Sequence, residues 1–140
     1  MGARELETVK KIYGFNWAAV GSREVGLEEM EEIMAPEFES RMSPEVGGRT
    51  LRGVTELRQF GEALEQDFEQ FSYQPEKFLE ADDGRVVVLG KVSGVARASK
   101  LPLGGEFGHV WTLEDGRAAS IEAYLDPQLA LSAAGLDAAT

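Results

Sequence analysis

The chain contains one histidine, His109, and it lies inside an apolar, strand-like stretch, FGHVWTLEDGRAASIEAYLD, at residues 107–126. Histidine has its ordinary pKa near neutrality, so its imidazole can move a proton or bond a ligand at physiological pH. Trp111 on the same stretch brings an indole N–H that needs a partner when it is buried. Two interpretations stay open: His109 lines a ligand pocket, or it is a core histidine bonded to the backbone or to a tyrosine.

The partners of His109 depend on the register of the hairpin around Asp115-Gly116, because a slip of one residue moves every side chain to the other face. A two-residue loop places His109 opposite Glu122, as an acid–base pair. A three-residue loop ending at Gly116 places it opposite Ile121. We favour the second register because it separates apolar from polar side chains more cleanly. The face that it predicts around His109 carries Trp111, Ala119, Ile121, Ala123 and Leu125, and the opposite face carries Ser120, Glu122 and Tyr124.

No metal site and no cofactor are predicted. A lone histidine cannot build a zinc site without further ligands, and no His/Asp/Glu spacing here resembles one. The chain has no cysteine, which excludes a disulfide framework, a thiolate metal site and thiol catalysis. The glycine pairs at 47–48 and 104–105 are expected to be loop hinges, since neither opens a helix after a strand.

Three amphipathic segments in the first half indicate helices. The first has apolar residues at helical spacing from Leu6 to Tyr13. A second, short stripe runs over 27–34 and stops at Ala35-Pro36. The third is expected to begin after Gly53 and to carry Phe60 on its apolar face, where the core meets the pocket.

The second half indicates a sheet. Strands are predicted at 72–80, interrupted at Pro75 and therefore at an edge or a bulge, and at 85–98. After a connection at 100–105, two further strands follow at 106–113 and 118–125. The tail after Pro127 predicts a short helix ending near Gly135.

Helices followed by a meander indicate an α+β fold, in which a curved, mixed or antiparallel sheet wraps around three N-terminal helices. One domain is expected over 1–140, with helices at about 4–69, the sheet at about 71–126 and a short tail at 127–140. Three helices cannot fill such a concave face, so we expect a cone-shaped cavity, the usual setting for an apolar pocket with few polar groups.

Composition narrows the expected partners. The formal net charge of −11 argues against nucleic acid and anionic membranes. No apolar run approaches the roughly 20 residues that span a bilayer, and the first residues do not resemble a signal peptide. We therefore expect a soluble, cytoplasmic protein.

Four stretches resemble the SnoaL-like polyketide cyclases: VKKIYGFN, APEFESRMSP, RVVVLGKVSGVAR and HVWTLEDGRAASIEAYLD. This group belongs to the nuclear transport factor 2-like superfamily, which also contains ketosteroid isomerase. The resemblance runs from about Val9 to Leu136. It implies a cone-shaped α+β barrel, a homodimer formed through the outer face of the sheet, and a pocket for a small-molecule ligand inside the cone.

The resemblance also implies roles for individual residues. His109 falls where ketosteroid isomerase carries a carboxylic acid that binds the oxyanion, and Tyr13 falls where it carries its oxyanion-hole tyrosine. The two would converge on one carbonyl oxygen. The isomerase base should come from strand 37–43, where the matching positions hold Met42 or Ser43. Glu39 or Arg41 would have to turn inward, so steroid isomerisation is not expected.

Two further relatives bear on Arg97 and Asp126. Limonene epoxide hydrolase uses an Asp–Arg–Asp set, but after Arg97 this chain has Ser99, and Ala123 supplies no acid, so epoxide hydrolysis is discounted. A buried Arg97 would favour a carboxylate ligand. The polyketide cyclases use an acid near the end of the sheet, and Asp126 is in a similar place. Asp126-Pro127 is otherwise expected to end the strand and cap the tail.

Three functions remain. An enzyme of cyclase or isomerase type would polarise an oxygen with His109 and Tyr13 and move a proton with Asp126 or Glu39. A binding module would hold a small molecule without turnover, and an interaction protein would use the outer sheet face around a filled cavity. The candidate ligand contacts are Trp111, Glu39, Arg41, Arg97, Phe60, Ile121 and Ala123.

Overall fold

The structure, a computed structural model, describes residues 6–10, 34–42, 48–81, 85–114 and 116–136. Its strands are β1 (Met34–Met42), β2 (Thr50–Arg52), β3 (Phe68–Glu80), β4 (Val86–Ala96), β5 (Pro102–Glu114) and β6 (Arg117–Tyr124). Its helices are α1 (Gly53–Asp67) and α2 (Pro127–Ala133), and residues 6–10 are also helical. The predicted second helix lies outside the described residues, except that Met34 belongs to β1.

The six strands form one sheet in the order β2-β1-β6-β5-β4-β3. β1 and β6 pair in parallel, and every other neighbouring pair is antiparallel. Helix α1 packs against β1 and β2 at one end of this order and against β3 at the other. One helix can reach both ends only if the sheet curls around it. The predicted α+β fold with a curved, mixed sheet is therefore confirmed.

Helix α1 begins where the sequence predicts. Gly53 has a φ of 78°, a left-handed conformation that glycine adopts without a steric penalty. The backbone N–H of Arg52 donates to Oε1 of Glu56 at 2.7 Å, which resembles the backward half of a capping box. These two features set the point at which the chain leaves β2.

The boundaries of the sheet differ from the prediction. β1 covers most of the strand expected at 37–43, but β1 and β2 both precede α1, so the sheet is not confined to 71–126. β5 begins at Pro102, so Gly104 and Gly105 are strand residues and not hinges. They pair with Ser93 and Val92 of β4. Cross-strand pairing here overrides the low strand propensity of glycine.

β3 contains the strand predicted at 72–80, at an edge of the sheet as expected, but it begins earlier, at Phe68. It is the edge strand beyond β4, and its register shifts between Pro75 and Lys77. Gly90 lies opposite this irregularity, and a Cβ there would collide with the carbonyl oxygen of Gln74. Only glycine lets the two backbones approach this closely.

The two sheet faces bury separate apolar clusters. On one, here called the inner face, Val88, Phe107, Trp111 and Ile121 pack with Val9 of the helical segment 6–10. On the other, the outer face, Val87 and Val110 pack with Ala130 and Leu131 of α2. No helix in the described ranges is long and apolar enough to span a membrane.

Candidate functional site

The hairpin between β5 and β6 adopts neither predicted register along its whole length. Glu114 pairs with Arg117, as a two-residue loop requires, and Leu113 pairs with Ala118. The next pair is Thr112 with Ser120, so Ala119 is an extra residue and the ladder shifts by one. A bulge of this kind leaves one residue unpaired and changes the register beyond it. The predicted three-residue loop and the placement of Ala119 beside His109 are therefore wrong.

Beyond the bulge, His109 lies opposite Ala123 and Trp111 lies opposite Ile121. These four residues share the inner face, as predicted, although His109 was expected opposite Ile121 and the pairs are therefore shifted by two residues. Glu122 lies opposite Val110 on the outer face. The cross-strand pair between His109 and Glu122 is absent.

His109 is buried among aromatic rings. Its side chain is 6% exposed, and its ring centroid lies 4.4 Å from that of Phe107 and 5.3 Å from that of Tyr73. Burial removes the water that would solvate an imidazolium, and this lowers the pKa of His109 from 6.5 to about 3. The imidazole is therefore neutral at physiological pH, with one nitrogen that donates and one that accepts.

Tyr73 places its aromatic ring beside His109, a contact that the sequence does not reveal. Its ring meets Phe107 edge to face, with centroids 5.2 Å apart at 81°. Burial raises the pKa of Tyr73 to about 12, so the hydroxyl keeps its proton. Gly90, between Pro75 and Phe107 in the sheet, brings no side chain into this space. The sequence predicts that Tyr73 lies on a strand. It does not show which strands are neighbours in the sheet, so it could not place Tyr73 near His109.

Two other residues expected to contact a ligand, Trp111 and Phe60, belong to or pack against the apolar cluster of the inner face. Trp111 is buried in the core, where it stacks on Phe38 at 6.2 Å. Phe60 of α1 packs against the same cluster and lines a groove of about 360 Å³ beside Leu51 and Glu56. Trp111 and Phe60 therefore serve the core. Tyr13 lies outside the described residues.

Glu39 and Arg41 do not turn inward. They alternate with the inward-facing Phe38 and Ser40, and Arg41 lies opposite Glu122 of β6 on the outer face. The Arg41 guanidinium lies 4.0 Å from carboxylate oxygens of both Glu39 and Glu122. The expectation that either residue reaches the pocket is wrong, because strand alternation holds them on the other side of the sheet.

Tyr124 completes this outer-face network. Its hydroxyl donates to Oε1 of Glu122 at 2.8 Å. Partial burial, together with the bond to Glu122 and the negative charge of Glu122, raises the pKa of Tyr124 to about 12. On the Glu39 side of this network, β1, β5 and β6 enclose an open groove of about 840 Å³, whose lining includes Glu37, Glu39 and Arg117. The outer face is therefore polar where α2 does not cover it.

Asp126 acts as a helix cap. Its carboxylate accepts from the backbone N–H of Gln128 at 2.9 Å, at the start of α2. Helix α2 packs on the outer face, against Val110 and Val87. Asp126 is therefore exposed, bonded to the first turn of α2, and on the side of the sheet opposite to His109. This placement does not fit a proton-transfer role beside His109.

Arg97 is also remote from His109. Val88, which pairs with His109, lies near the start of β4, whereas Arg97 follows the other end of that strand. Its guanidinium is about half exposed and lies 3.7 Å from Glu69, whose carboxylate also accepts from Lys100 at 2.7 Å. The pKa of Glu69 is lowered, chiefly by Lys100. Arg97 is therefore a surface residue. Within the described ranges, no group of three or more His, Asp or Glu residues could hold a metal ion.

Comparison with known proteins agrees with this architecture. The family model described as "SnoaL-like domain" matches residues 17–121. An NTF2-like protein of unknown function from Burkholderia pseudomallei is 24% identical and covers 94% of this chain and 97% of its own, with a TM-score of 0.69. A SnoaL-like polyketide cyclase from Jannaschia sp., so described provisionally, is 20% identical and covers 94% and 91%, with a TM-score of 0.71.

A third structure, TerC co-crystallised with polyporic acid, is 23% identical and covers 94% of this chain and 97% of its own, with a TM-score of 0.67. At these identities the likeness to solved structures establishes the fold. No curated protein matches the sequence.

Proposed function

Because the chain belongs to the family of SnoaL-like domains, we propose that it binds a small, largely apolar molecule with a carbonyl or similar oxygen on the inner face of its sheet, beside His109. The single observation that carries this proposal is the burial of a neutral imidazole among Phe107 and Tyr73. A mostly apolar wall with one or two hydrogen-bonding groups is typical of small-molecule sites.

The position of His109 supports a ligand contact. Buried polar residues among the described ones are Ser40, His109 and Ser120, and His109 alone of these is ionisable. A neutral imidazole and a protonated phenol can both donate to a carbonyl oxygen without carrying charge into the apolar layer.

Binding without turnover fits these groups better than acid–base catalysis. An imidazole with a pKa near 3 takes up a proton poorly at neutral pH, and efficient acid–base groups have a pKa near the working pH. Asp126 and Glu39, the carboxylates expected to move a proton, lie on the outer side of the sheet. His109 and Tyr73 would then hold and polarise an oxygen, and cyclase- or isomerase-like chemistry would need a different proton carrier.

The relatives suggest the kind of ligand. TerC was crystallised with polyporic acid, and one of the similar structures is described provisionally as a polyketide cyclase. A flat molecule would pack against Phe107 and Tyr73, since aromatic rings favour offset or edge-to-face contacts. We therefore propose a planar, carbonyl-bearing ligand.

The test is a binding screen read at His109. In ¹⁵N-labelled protein, the imidazole signals are recorded with 1-tetralone, 4-chromanone and 2-hydroxy-1,4-naphthoquinone. We expect at least one compound to shift them. Isothermal titration calorimetry, which does not depend on the histidine signal, should show that His109→Gln raises the Kd of that compound about tenfold, the loss of one hydrogen bond worth about 1.4 kcal/mol. Ser120→Ala, which alters a buried polar residue on the outer face, is the matched control. Equal binding by wild type and His109→Gln would contradict the proposal.

We also propose that the chain forms a homodimer through the outer face. The open, polar groove beside β1, β5 and β6 and the charged network of Arg41 offer a surface for a second copy. Light scattering should give twice the monomer mass, and Arg41→Glu should shift the equilibrium towards monomer. A monomeric mass for wild type at high protein concentration would exclude this arrangement.

A further inference from the structure

The open groove on the outer face, here called the outer groove, lies where the pairing of β1 with β6 is interrupted. Met34 pairs with Ala118, and pairing resumes at Glu39. Residues 35–38 of β1 therefore face only Ala119 on β6, and Ala119 is also the extra residue in the pairing of β6 with β5. A bulge leaves residues unpaired, bends the strand and is over-represented next to active sites. Two irregularities at one position thus coincide with the outer groove.

The outer groove is lined by small side chains and by long charged ones. The small ones are Ala35, Ala119 and Ser120, and the charged ones are Glu37, Glu39, Arg41, Glu114 and Arg117. Strand alternation places Glu37 and Glu39 on this face, since Phe38 between them is buried in the inner-face cluster. The difference in side-chain length leaves a depression with ionic groups around it.

The charges of the outer groove do not balance. Its lining includes three glutamates and two arginines. Arg41 is already shared, because its guanidinium lies 4.0 Å from carboxylate oxygens of both Glu39 and Glu122. Glu37 has no ion pair with any residue of the described ranges. The outer groove therefore carries excess negative charge, in a chain whose formal net charge is −11.

Ser120 brings a buried hydroxyl to the outer groove. The residue is 8% exposed and lines the groove opposite Thr112 of β5. Its neighbour Ile121 belongs to the inner-face cluster, so alternation directs Ser120 to the outer face. Among the residues that the structure describes, the Ser120 hydroxyl has no hydrogen-bond partner. A buried polar group without a partner costs free energy, so a ligand that supplies the partner is favoured.

We propose that the outer groove binds an aliphatic amine, whose ammonium group lies between the carboxylates of Glu37 and Glu39 and donates a hydrogen bond to the Ser120 hydroxyl. Glu37 and Glu39 are two residues apart on one strand face, about 7 Å along β1, so one ammonium group reaches both carboxylates. An ammonium group has three donors and no acceptor, which matches two carboxylates and a hydroxyl oxygen. The negative potential of the groove raises the local concentration of such cations.

This site goes beyond the proposed function, because the outer groove lies on the face of the sheet opposite to His109 and needs no contact with it. The site shares the outer face with the proposed homodimer. An amine and a second copy of the chain are therefore alternative occupants of the groove, and the experiment must separate them.

The test uses 1,4-diaminobutane as the probe and 1,4-butanediol as an uncharged molecule of the same length. Each is titrated into ¹⁵N-labelled protein at an ionic strength of about 0.15 M, at which exposed charges more than about 8 Å apart are largely screened. The signals followed are the backbone amides of Ala119 and Ser120. We expect the diamine to shift both signals to saturation and the diol to leave them unchanged.

Three variants locate the binding. Glu37→Gln and Ser120→Ala should each raise the Kd of the diamine about fivefold or more, which corresponds to about 1 kcal/mol. Glu76→Gln is the matched control, because it removes the same charge from β3, at the far edge of the sheet from β1. It should change Kd by less than about twofold. Glu37 is exposed, so Glu37→Gln tests the site even if Ser120→Ala alters the fold.

Several results would overturn the site. Equal weakening by Glu37→Gln and Glu76→Gln would show that the diamine responds only to net charge. A diamine that does not bind, or a diol that binds equally well, would also overturn it. Light scattering at the same protein concentrations addresses the second copy: if the diamine binds only after dilution to the monomer, the partner fills the groove and the proposal fails. A failed ligand screen at His109 leaves these results unaffected.

Discussion

His109 is neutral because of what surrounds it. Phe107 and Tyr73 occupy the space that water would need to solvate an imidazolium, and the strand partners of His109 are the apolar Val88 and Ala123. A buried histidine of this kind favours the unprotonated form. Folding therefore depends on pH through this one residue, and the chain has no second histidine to obscure the effect.

Protein stability should fall as the pH is lowered from 8 to 5. The unfolded chain binds a proton at His109 near pH 6.5, whereas the folded chain resists it down to about pH 3. Below about pH 6.5 unfolding therefore takes up a proton, so the free energy of unfolding decreases as the pH falls further. At about 1.4 kcal/mol per pH unit below the unfolded pKa, the loss by pH 5 is about 2 kcal/mol. Urea unfolding at both pH values measures it.

His109→Gln is the control for this pH dependence. The variant should be less stable at pH 8, since it disturbs a packed site, but its stability should change much less between pH 8 and 5. The window lies above the ordinary pKa values of Asp and Glu, which limits their contribution. The same pH dependence in wild type and variant would contradict a neutral, buried His109.

Residue types alone suggested several partners for His109 that the fold does not bring together. Glu39, Arg41 and Asp126 are reasonable acid–base or binding residues by chemistry, but the first two alternate to the outer face and the third caps α2. Alternation could have excluded Glu39 and Arg41 once Phe38 was taken as core. The cap was the alternative interpretation of Asp126-Pro127, and it is the one that the structure supports.

At the scale of elements, apolar alternation predicted the faces of the hairpin better than its pairing. His109, Trp111, Ile121 and Ala123 share a face as expected, whereas the loop length was wrong. The bulge at Ala119, next to Ala118, compensates for the shorter loop and keeps these residues on the predicted face. Two adjacent alanines give no contrast in hydropathy, so the pattern cannot show which one is extra. Strand faces follow from side chains, but register also depends on the loop and the bulge.

Helix α2 depends on a close contact behind the site. A Cβ at Gly108 would overlap the Cβ of Ala130, and Arg85 Nη1 donates to the carbonyl oxygen of Ala133 at 3.0 Å near the end of the helix. Gly108→Ala should therefore destabilise the fold by about 1–3 kcal/mol through overpacking. Chemical denaturation of purified protein measures this change.

Ala130→Gly tests whether the contact itself is responsible. Alone it should cost about 1 kcal/mol through helix propensity. Combined with Gly108→Ala it restores room for the added methyl, so the double variant should be more stable than the two single losses predict by at least about 0.5 kcal/mol. Additive losses would show that Gly108 matters for another reason.

At the scale of the whole molecule, the fold class followed from the order of elements and from the resemblance, and family and structural comparisons confirm both. The division into helices at 4–69 and sheet at 71–126 did not hold, because β1 and β2 precede α1. β1 pairs with β6, far along the chain. Such long-range pairing is not visible in local periodicity, and it also decides which residues surround His109.

The most direct test of the central claim follows the His109 imidazole signals by NMR from pH 8 to 4.5, without ligand and with the compound that binds best. A neutral histidine enclosed by Phe107 and Tyr73 should show no titration in this range, and the compound should shift its signals. A midpoint near 6.5, unaffected by every compound, would place His109 in solvent and contradict the account of the inner face as a binding site.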